Sequence, residues 1–109
     1  MCRHPLVAEY IYRVYIKSMA IEFDPDKDRH NTRKHGISLA RAEDMEMEDA
    51  LVFPDDRKNY GEPRFNAYGE IDGELYAMSF TPRGANSRVI SLRRCRPEEV
   101  ETWRNRSAS

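Results

Sequence analysis

The sequence has little cysteine and no long apolar run, and these two absences set its broad class. Cys2 and Cys95 are the two cysteines among 109 residues, so we expect neither a disulfide framework nor a cysteine-based zinc site. Every apolar run is shorter than the roughly 18 residues of a membrane-spanning helix. The sequence therefore predicts a cytoplasmic protein without the membrane as a partner, and one domain around one hydrophobic core.

The chain also lacks a strong charge of one sign, although its charges are unevenly distributed. The formal net charge is −1 at pH 7, which argues against a protein that is basic throughout, as many nucleic-acid binders are. Residues 41–50 carry five carboxylates and one arginine, whereas residues 83–106 carry seven arginines and three glutamates. Because the arginine fork matches phosphate oxygens, this patch is able to bind a polyanion. The alternative is an ordinary surface of salt bridges.

Ligand patterns for metals and nucleotides are missing as well. The three histidines, His4, His30 and His35, do not have the paired spacing of metal ligands. The sequence also contains no phosphate loop and no nucleophile elbow. We therefore expect no metal and no cofactor, which leaves arginine, glutamate and histidine side chains as the candidates for chemistry.

Residues 1–18 differ in pattern from the rest of the chain. Arg13 and Lys17 interrupt their apolar residues, which argues against the continuous apolar segment of a signal peptide. Two interpretations remain open. One is an N-terminal extension with a helix of its own, since its apolar residues fit one helical face; the other is an upstream start before a natural start at Met19. In both cases, residues 19–109 are predicted to form a single domain.

Capping residues predict three helices in that domain. Asp24 and Pro25 suit the N-cap and the first position of a helix, and Gly36 is typical of the residue that ends one. Ser38 caps a second helix, and Pro97 begins the last, which has acidic residues in its first turn. The predicted helices cover 25–35, about 39–47, and 97 onwards.

Short apolar runs predict a small antiparallel sheet, so the expected fold class is α+β, with two helices from the first half and one at the C-terminus. The dipeptide Asp72-Gly73 is a strong signal for a two-residue hairpin. It places Phe65 opposite Phe80 and Ile71 opposite Glu74. The predicted strands are 21–23, 50–53, about 64–71, 74–81 and 87–94.

The hairpin register separates an apolar face of the sheet from a polar one. Opposed residues share a face, and this brings Arg64 and Arg83 to the same side near one end. In the last strand, Ile90 and Leu92 are interpreted as an inward pair. The opposite orientation follows for Val89, Ser91 and Arg93. The polar face is predicted to collect Arg64, Asn66, Tyr68, Ser79, Thr81 and Arg83.

Each candidate residue has a structural interpretation beside the chemical one. His35, at a predicted helix end, is either a cation that interacts with the helix dipole or a general acid or base. Glu62 and Arg64 are either a surface ion pair or part of a site, and Tyr60 is able to stack on a nucleobase. The arginines of the last two strands are either a phosphate clamp or partners of the acidic segment 41–50. They are Arg83, Arg88, Arg93 and Arg94.

Cleavage of RNA without a metal would use such a set of side chains. The 2′-hydroxyl needs a base that takes its proton, and the pentavalent phosphate needs fixed positive charge, which arginine donors supply. The leaving 5′-oxygen needs an acid, and histidine or glutamate transfers protons in steps of this kind. The residues thus allow RNA cleavage without deciding which of them is the base.

Three blocks of the sequence carry a family likeness. They are Glu22-Phe23-Asp24-Pro25 with Lys34-His35-Gly36-Ile37-Ser38, then Asp55-Asp56-Arg57 with Tyr60-Gly61-Glu62-Pro63-Arg64, then Phe80-Thr81-Pro82-Arg83 with Arg88-Val89-Ile90-Ser91-Leu92-Arg93-Arg94. In this order and spacing, from about Ala20 to Trp103, they resemble the BrnT toxin family of bacterial type II toxin–antitoxin systems.

The resemblance implies a RelE-like ribonuclease toxin that cleaves an RNA substrate without a metal and arrests translation and growth. It also implies a partner, a ribbon–helix–helix antitoxin similar to BrnA, through which the complex contacts operator DNA. By position in the blocks, the implied catalytic residues are His35, Glu62, Arg64, Arg83 and Arg93. The implied RNA- or phosphate-binding residues are Lys34, Tyr60, Arg88 and Arg94.

Two other functions are compatible with the same residues. The first is a non-catalytic protein that binds an antitoxin and acts only in a co-repressor complex; such a protein would not require Glu62, Arg64, Arg83 and Arg93 together. The second is an arginine-rich domain that binds RNA without cutting it. Growth arrest on expression, relieved by a neighbouring antitoxin, distinguishes a toxin from both.

Overall fold

Five strands form one mixed sheet in residues 20–106, the part of the chain that the computed structural model describes. The strands are β1 Ala20–Glu22, β2 Leu51–Pro54, β3 Phe65–Ile71, β4 Glu74–Arg83 and β5 Asn86–Arg94, in the spatial order β1-β5-β4-β3-β2. The two interpretations of residues 1–18 lie outside the described residues.

The direction of β1 corrects the expectation of an antiparallel sheet. β1 runs parallel to β5, whereas β2 to β5 pair antiparallel with their neighbours. The antiparallel strands β3 and β4 are joined by a tight turn that leaves a sequence signal. β1 pairs instead with the last strand, 66 residues away at Glu22 and Arg88, and no local signal fixes the direction of such a pair.

The first and last predicted helices are confirmed. Helix α1 covers Pro25–His35 and helix α2 covers Pro97–Arg104. The Asp24 carboxylate accepts the backbone N–H of Asp26 at 3.0 Å, and Gly36 ends α1 in the left-handed conformation at φ 75°. Local capping chemistry therefore sets both ends of α1.

The second predicted helix is wrong in type and length. Two 3-10 turns, Leu39–Asp44 and Met47–Asp49, stand in its place. Ser38 does cap the first turn, but the backbone N–H of Glu46 donates to the carbonyl of Glu70 in β3 at 2.9 Å. This bond ties the segment to the sheet, so the backbone leaves the helical path before residue 47.

The hairpin between β3 and β4 has the predicted register. Phe65 pairs with Phe80 and Ile71 with Glu74. Asp72 and Gly73 both have positive φ, 52° and 82°, as a type I′ turn requires. The turn residues alone therefore fixed which side chains of the two strands share a face.

The orientation predicted for β5 is wrong over part of the strand, because the ladder contains a bulge. Ser91 pairs with Ser79, and Val89 pairs with Phe80, so Ile90 is the extra residue. Val89 and Leu92 are consequently the inward residues, with 1% and 0% of their surface exposed. The bulge also brings Arg88 and Arg93 to the same face, although five positions separate them.

The hydrophobic core lies on one face of the sheet, under the segment that follows α1. The other face, called the open face below, carries polar side chains and is bordered by α2. Trp103 anchors α2, since its indole N–H donates to the carbonyl of Asp49 at 3.0 Å. The largest fully buried core side chains are Phe80, Leu39, Ile71, Met78, Leu92, Val52 and Val89.

Candidate functional site

Polar side chains stand in three rows across the open face. The hairpin register and the β5 bulge together decide which residues stand in each row. The first row is Thr81, Arg88 and Glu22, and Arg64, the residue immediately before β3, extends it. The other rows are Asn66, Ser79 and Ser91, and then Tyr68, Ala77 and Arg93. Four residues along β3 separate the first row from the third, which corresponds to about 13 Å.

A cleft of about 300 Å³ opens at the end of the third row. Asn66 and Ser79 are hydrogen-bonded at 2.8 Å on its floor. Three arginines line the cleft, Arg57, Arg93 and Arg96. The remaining lining residues are Phe53, Tyr68, Ala77, Ser91 and Glu99. A polar hollow that collects arginines is suited to an anionic ligand.

Arg93 is held in this cleft by Glu99. Two parallel hydrogen bonds join the guanidinium to the carboxylate, at 2.8 and 2.9 Å, and the backbone N–H of Arg96 donates to the same carboxylate at 2.9 Å. Only 8% of the Glu99 surface is exposed. The Arg93 guanidinium holds the pKa of Glu99 down at about 2, so the glutamate is a carboxylate at neutral pH. Glu99 therefore fixes both the position and the charge of Arg93.

Tyr68 and Cys95 both keep their protons beside this pair. Burial, followed by the Glu99 carboxylate, raises the pKa of the Tyr68 hydroxyl, which is therefore a hydrogen-bond donor at neutral pH. Burial raises the pKa of Cys95 to about 11. The thiol is consequently a weak nucleophile, in agreement with a packing role.

His35 stands beside a second cleft, of about 390 Å³, between α1 and β5. Ser91 is common to the linings of both clefts. Burial lowers the pKa of His35, and the neighbouring side chains of Lys34, Arg93 and His30 lower it further. The imidazole is therefore neutral at pH 7, which is the form that accepts a proton.

Glu62, Arg64 and Tyr60 lie together at the start of β3. Arg64 donates to Glu62 at 2.9 Å, and its guanidinium stacks over the Tyr60 ring at 4.2 Å. The Tyr60 hydroxyl lies 3.2 Å from the carboxylate of Asp55. Arg57 donates twice to that carboxylate, which holds the pKa of Asp55 well below its usual range. This cluster orders the loop that leads into the sheet.

Arg83 and Arg88 lie near the other side of the same end of the sheet, beside Glu22. The Glu22 carboxylate accepts from Asn86 at 2.9 Å and from Arg88 at 3.3 Å. Asn86, followed by Arg88 and Arg83, lowers the pKa of Glu22. The structure thus places Arg64, Arg83 and Arg88 towards one end of the open face and Arg93 at the other.

Arg94 points away from these residues. It pairs across the strands with Tyr76, whose ring packs against the core, and it bonds Glu74 at 2.8 Å. The carboxylates that pair with Arg88, Arg93 and Arg94 are Glu22, Glu99 and Glu74, all outside the acidic segment 41–50.

Sequence reasoning missed most residues of the open-face cleft. Asn66, Tyr68 and Ser79 were assigned to the polar face by the hairpin register, but nothing in the sequence shows that this face forms a hollow. Arg57, Arg96 and Glu99 reach the cleft from a loop and from the start of α2. A signal for Glu99 does exist, because it is the acidic residue three positions after the N-cap of α2.

Two further findings concern residues 20–106. No three histidine, cysteine, aspartate or glutamate side chains of this part cluster as metal ligands would. No helix in it is both long and apolar enough to cross a bilayer.

Comparison with known proteins gives one match. The family model described as the ribonuclease toxin BrnT of type II toxin–antitoxin systems matches residues 23–99, a range that contains every lining residue of both clefts. No curated protein matches the chain.

Proposed function

The chain belongs to the BrnT family of ribonuclease toxins of type II toxin–antitoxin systems, and we propose that it cuts RNA where the two clefts meet, beside Arg93 and His35. The observation that carries this proposal is that Ser91 lines both the cleft with the fixed Arg93 guanidinium and the cleft with the His35 imidazole, whose pKa the Arg93 charge helps to lower. Fixed positive charge and a proton acceptor are the two groups that transesterification of RNA needs.

In the proposed reaction, neutral His35 takes the proton of the 2′-hydroxyl. The 2′-oxygen forms a bond to phosphorus, and the bond from phosphorus to the 5′-oxygen breaks. The leaving oxygen gains a proton from solvent or from a neighbouring acid, and the products are a 2′,3′-cyclic phosphate and a 5′-hydroxyl. Arg93 stabilises the additional negative charge on the pentavalent phosphate, because Glu99 keeps its guanidinium oriented before the substrate binds.

The arginines at the other end of the open face are proposed to bind the RNA backbone. Arg64 and Arg93 lie about 13 Å apart along the strands and about 10 Å apart across them, which is too far for both to contact one phosphate from a rigid position. Arg64, Arg83 and Arg88 are therefore assigned to neighbouring phosphates, with Tyr60 as a stacking platform. Glu62 orients Arg64 in this arrangement and is the alternative base should His35 prove dispensable.

Purified full-length protein tests the reaction. We expect cleavage of a mixed-sequence RNA in the presence of EDTA, with 2′,3′-cyclic phosphate ends. His35→Gln and Arg93→Lys should lower kcat/KM by about 10²-fold or more. Arg104→Ala, a variant of an exposed arginine in the last turn of α2, is the matched control and should retain wild-type activity. Wild-type rates in both site variants would refute the assignment of the catalytic residues.

The partner is proposed to be a ribbon–helix–helix antitoxin, with operator DNA contacted only through it. Family membership supports an antitoxin partner; the antitoxin type, the RelE-like relationship and the block of translation follow from the sequence resemblance. Inducible expression should arrest growth, and co-expression of the antitoxin should restore it. Harmless expression of active-site-intact protein would favour the non-catalytic co-repressor instead.

A further inference from the structure

The cleft beside α1 exists because β1 is short. β1 covers β5 only at Asn86, Ser87 and Arg88, so the edge of β5 is uncovered by a strand beyond that point among the described residues. Beyond Arg88, the side chain of Asn31 in α1 bonds the backbone of β5 instead of a strand. Its side chain donates to the carbonyl of Leu92 at 2.8 Å and accepts the Leu92 N–H at 3.1 Å. Helix α1 is thereby held beside this edge, with a hollow between them.

One wall of this hollow is a stripe of basic side chains on α1. Lys27, His30 and Lys34 all line the cleft; they are spaced three and four positions apart, so one face of the helix carries all three. The opposite wall contains Ile90 and Ser91 of β5. Seven residues of helix correspond to about 10 Å, whereas a stacked strand of nucleic acid rises about 3.4 Å per nucleotide. The stripe is therefore longer than one nucleotide.

The charge of the cleft favours an anion. Asp26 is the carboxylate in its lining, and it pairs with Arg29 on its own helix. Arg29 therefore neutralises the charge of Asp26, and the charges of Lys27 and Lys34 are left to attract an anion.

We propose that the cleft between α1 and β5 binds a backbone phosphate of the RNA beside the scissile phosphate, through Lys27, His30 and Lys34. This inference depends on the proposed function, and it adds the class of substrate. The substrate is a single-stranded RNA segment that lies in the open-face cleft, crosses β5 at Ser91 and continues along α1. A dinucleotide, which has only the scissile phosphate, would leave the α1 cleft empty and would be a poor substrate.

The experiment compares short and long substrates of the full-length protein. The cleavage step preferred by the wild type is first mapped on a mixed-sequence RNA. That step is then offered as a dinucleoside monophosphate and within an oligonucleotide that has three additional nucleotides on each side. We expect the wild type to favour the long substrate by at least tenfold in kcat/KM. The double variant Lys27→Ala/His30→Ala should reduce this preference to threefold or less.

Arg33→Ala is the matched control, since Arg33 is an exposed cation of the same helix that lies outside the cleft lining. It should keep the full preference for the long substrate. The salt dependence gives an independent measure. The slope of log kcat/KM against log salt concentration on the long substrate should become shallower by about 0.7 in the double variant, as expected for one lost phosphate contact.

The outcomes separate the two proposals. A double variant that cleaves RNA and keeps the wild-type preference and salt slope would overturn the α1 cleft while leaving the proposed function intact. A wild type that cleaves no RNA at all would overturn both. The single variant Lys27→Gln, which changes one exposed side chain, guards against misfolding and should give a smaller reduction in the same direction.

Discussion

At the scale of single residues, the pair of Glu99 and Arg93 links the stability of the protein to its activity. The carboxylate is nearly buried and its pKa lies at about 2 in the fold, below the ordinary value of 4.5. A depressed carboxyl pKa stabilises the fold above the ordinary pKa, and the stabilisation is lost as the pH falls towards the folded value. One glutamate thus supports both the packing of α2 and the orientation of the guanidinium that is proposed to be catalytic.

We expect Glu99→Gln to make unfolding less dependent on acid. The wild type should lose up to about 3 kcal/mol of its free energy of unfolding between pH 4.5 and pH 2 through this group, and the variant should lose correspondingly less. At pH 7 the variant should be less stable by about 1–3 kcal/mol. Urea denaturation at a series of pH values measures both effects. Parallel stability curves for the two proteins would contradict the assignment.

The low pKa of His35 predicts the acid limb of the pH–rate profile. Because burial and neighbouring cations favour the neutral imidazole, kcat/KM should stay near its maximum below the ordinary histidine pKa of about 6.5. In Lys34→Gln, one of the cations is absent, so the limb should move towards higher pH. If the acid limb of kcat/KM lies at the same pH in Lys34→Gln as in the wild type, or if it is still present in His35→Gln, a different group titrates.

At the scale of elements, the joint between α1 and β5 depends on Asn31. This side chain, 4% exposed, bonds both backbone groups of Leu92 and the carbonyl of Ile37. We expect Asn31→Ala to lower the free energy of unfolding by about 2–3 kcal/mol, since buried backbone groups lose their partners. Asn105→Ala, at the exposed end of α2, is the control. Chemical denaturation measures both variants, and equal losses would argue against a special role for Asn31.

Gly69 in β3 permits the close approach of the segment that covers the core. A Cβ at this position would lie 2.8 Å from Cγ and 2.9 Å from Sδ of Met45, and 3.1 Å from the Cβ of Ala50. Gly69→Ala should therefore destabilise the protein by about 1–3 kcal/mol through overpacking. Adding Met45→Ala should recover part of the loss. If the double variant proves less stable than the sum of the single changes, the steric explanation fails.

At the scale of the whole molecule, the net charge of −1 gives no overall attraction to RNA. RNA binding therefore depends on where the cations lie. The cations that face the proposed RNA path stand on one side of the sheet and on α1. The acidic segment 41–50 is on the other side, where Arg41 bonds Asp44 and Asp72. Attraction to a polyanion is therefore local, and salt should weaken it.

The binding of RNA by the His35→Gln variant should depend on salt as if about five phosphates were contacted, at Arg64, Arg83, Arg88, Arg93 and the α1 cleft. The expected slope of log K against log salt concentration is about −3.5, at about 0.7 per phosphate of a single strand. Arg64→Ala should make the slope shallower by about 0.7, whereas Arg41→Ala, on the opposite side, should not change it. Fluorescence anisotropy with a labelled oligonucleotide measures the slope. A slope near zero would exclude the proposed backbone contacts.

The sequence by itself determined the parts of the protein that depend on neighbours a few residues away. Asp24 and Gly36 set the ends of α1, and Asp72-Gly73 set the register of the central hairpin, because caps and tight turns are closed by local hydrogen bonds and by allowed values of φ. The same register predicted that Arg64 belongs to a polar face. The family likeness over residues 23–99 was also readable at this level.

The tertiary structure alone decided how those parts meet. The parallel pairing of β1, the bulge at Ile90 and the bonds of Asn31 to Leu92 join residues that are up to 66 positions apart. Such contacts depend on how the elements pack, and no short pattern encodes them. The bulge turns Arg88 towards the open face, α2 brings Glu99 to Arg93, and α1 brings His35 to the neighbouring cleft. The sequence largely predicts where each helix and strand begins and ends, but the candidate site forms only through the packing of these elements against one another.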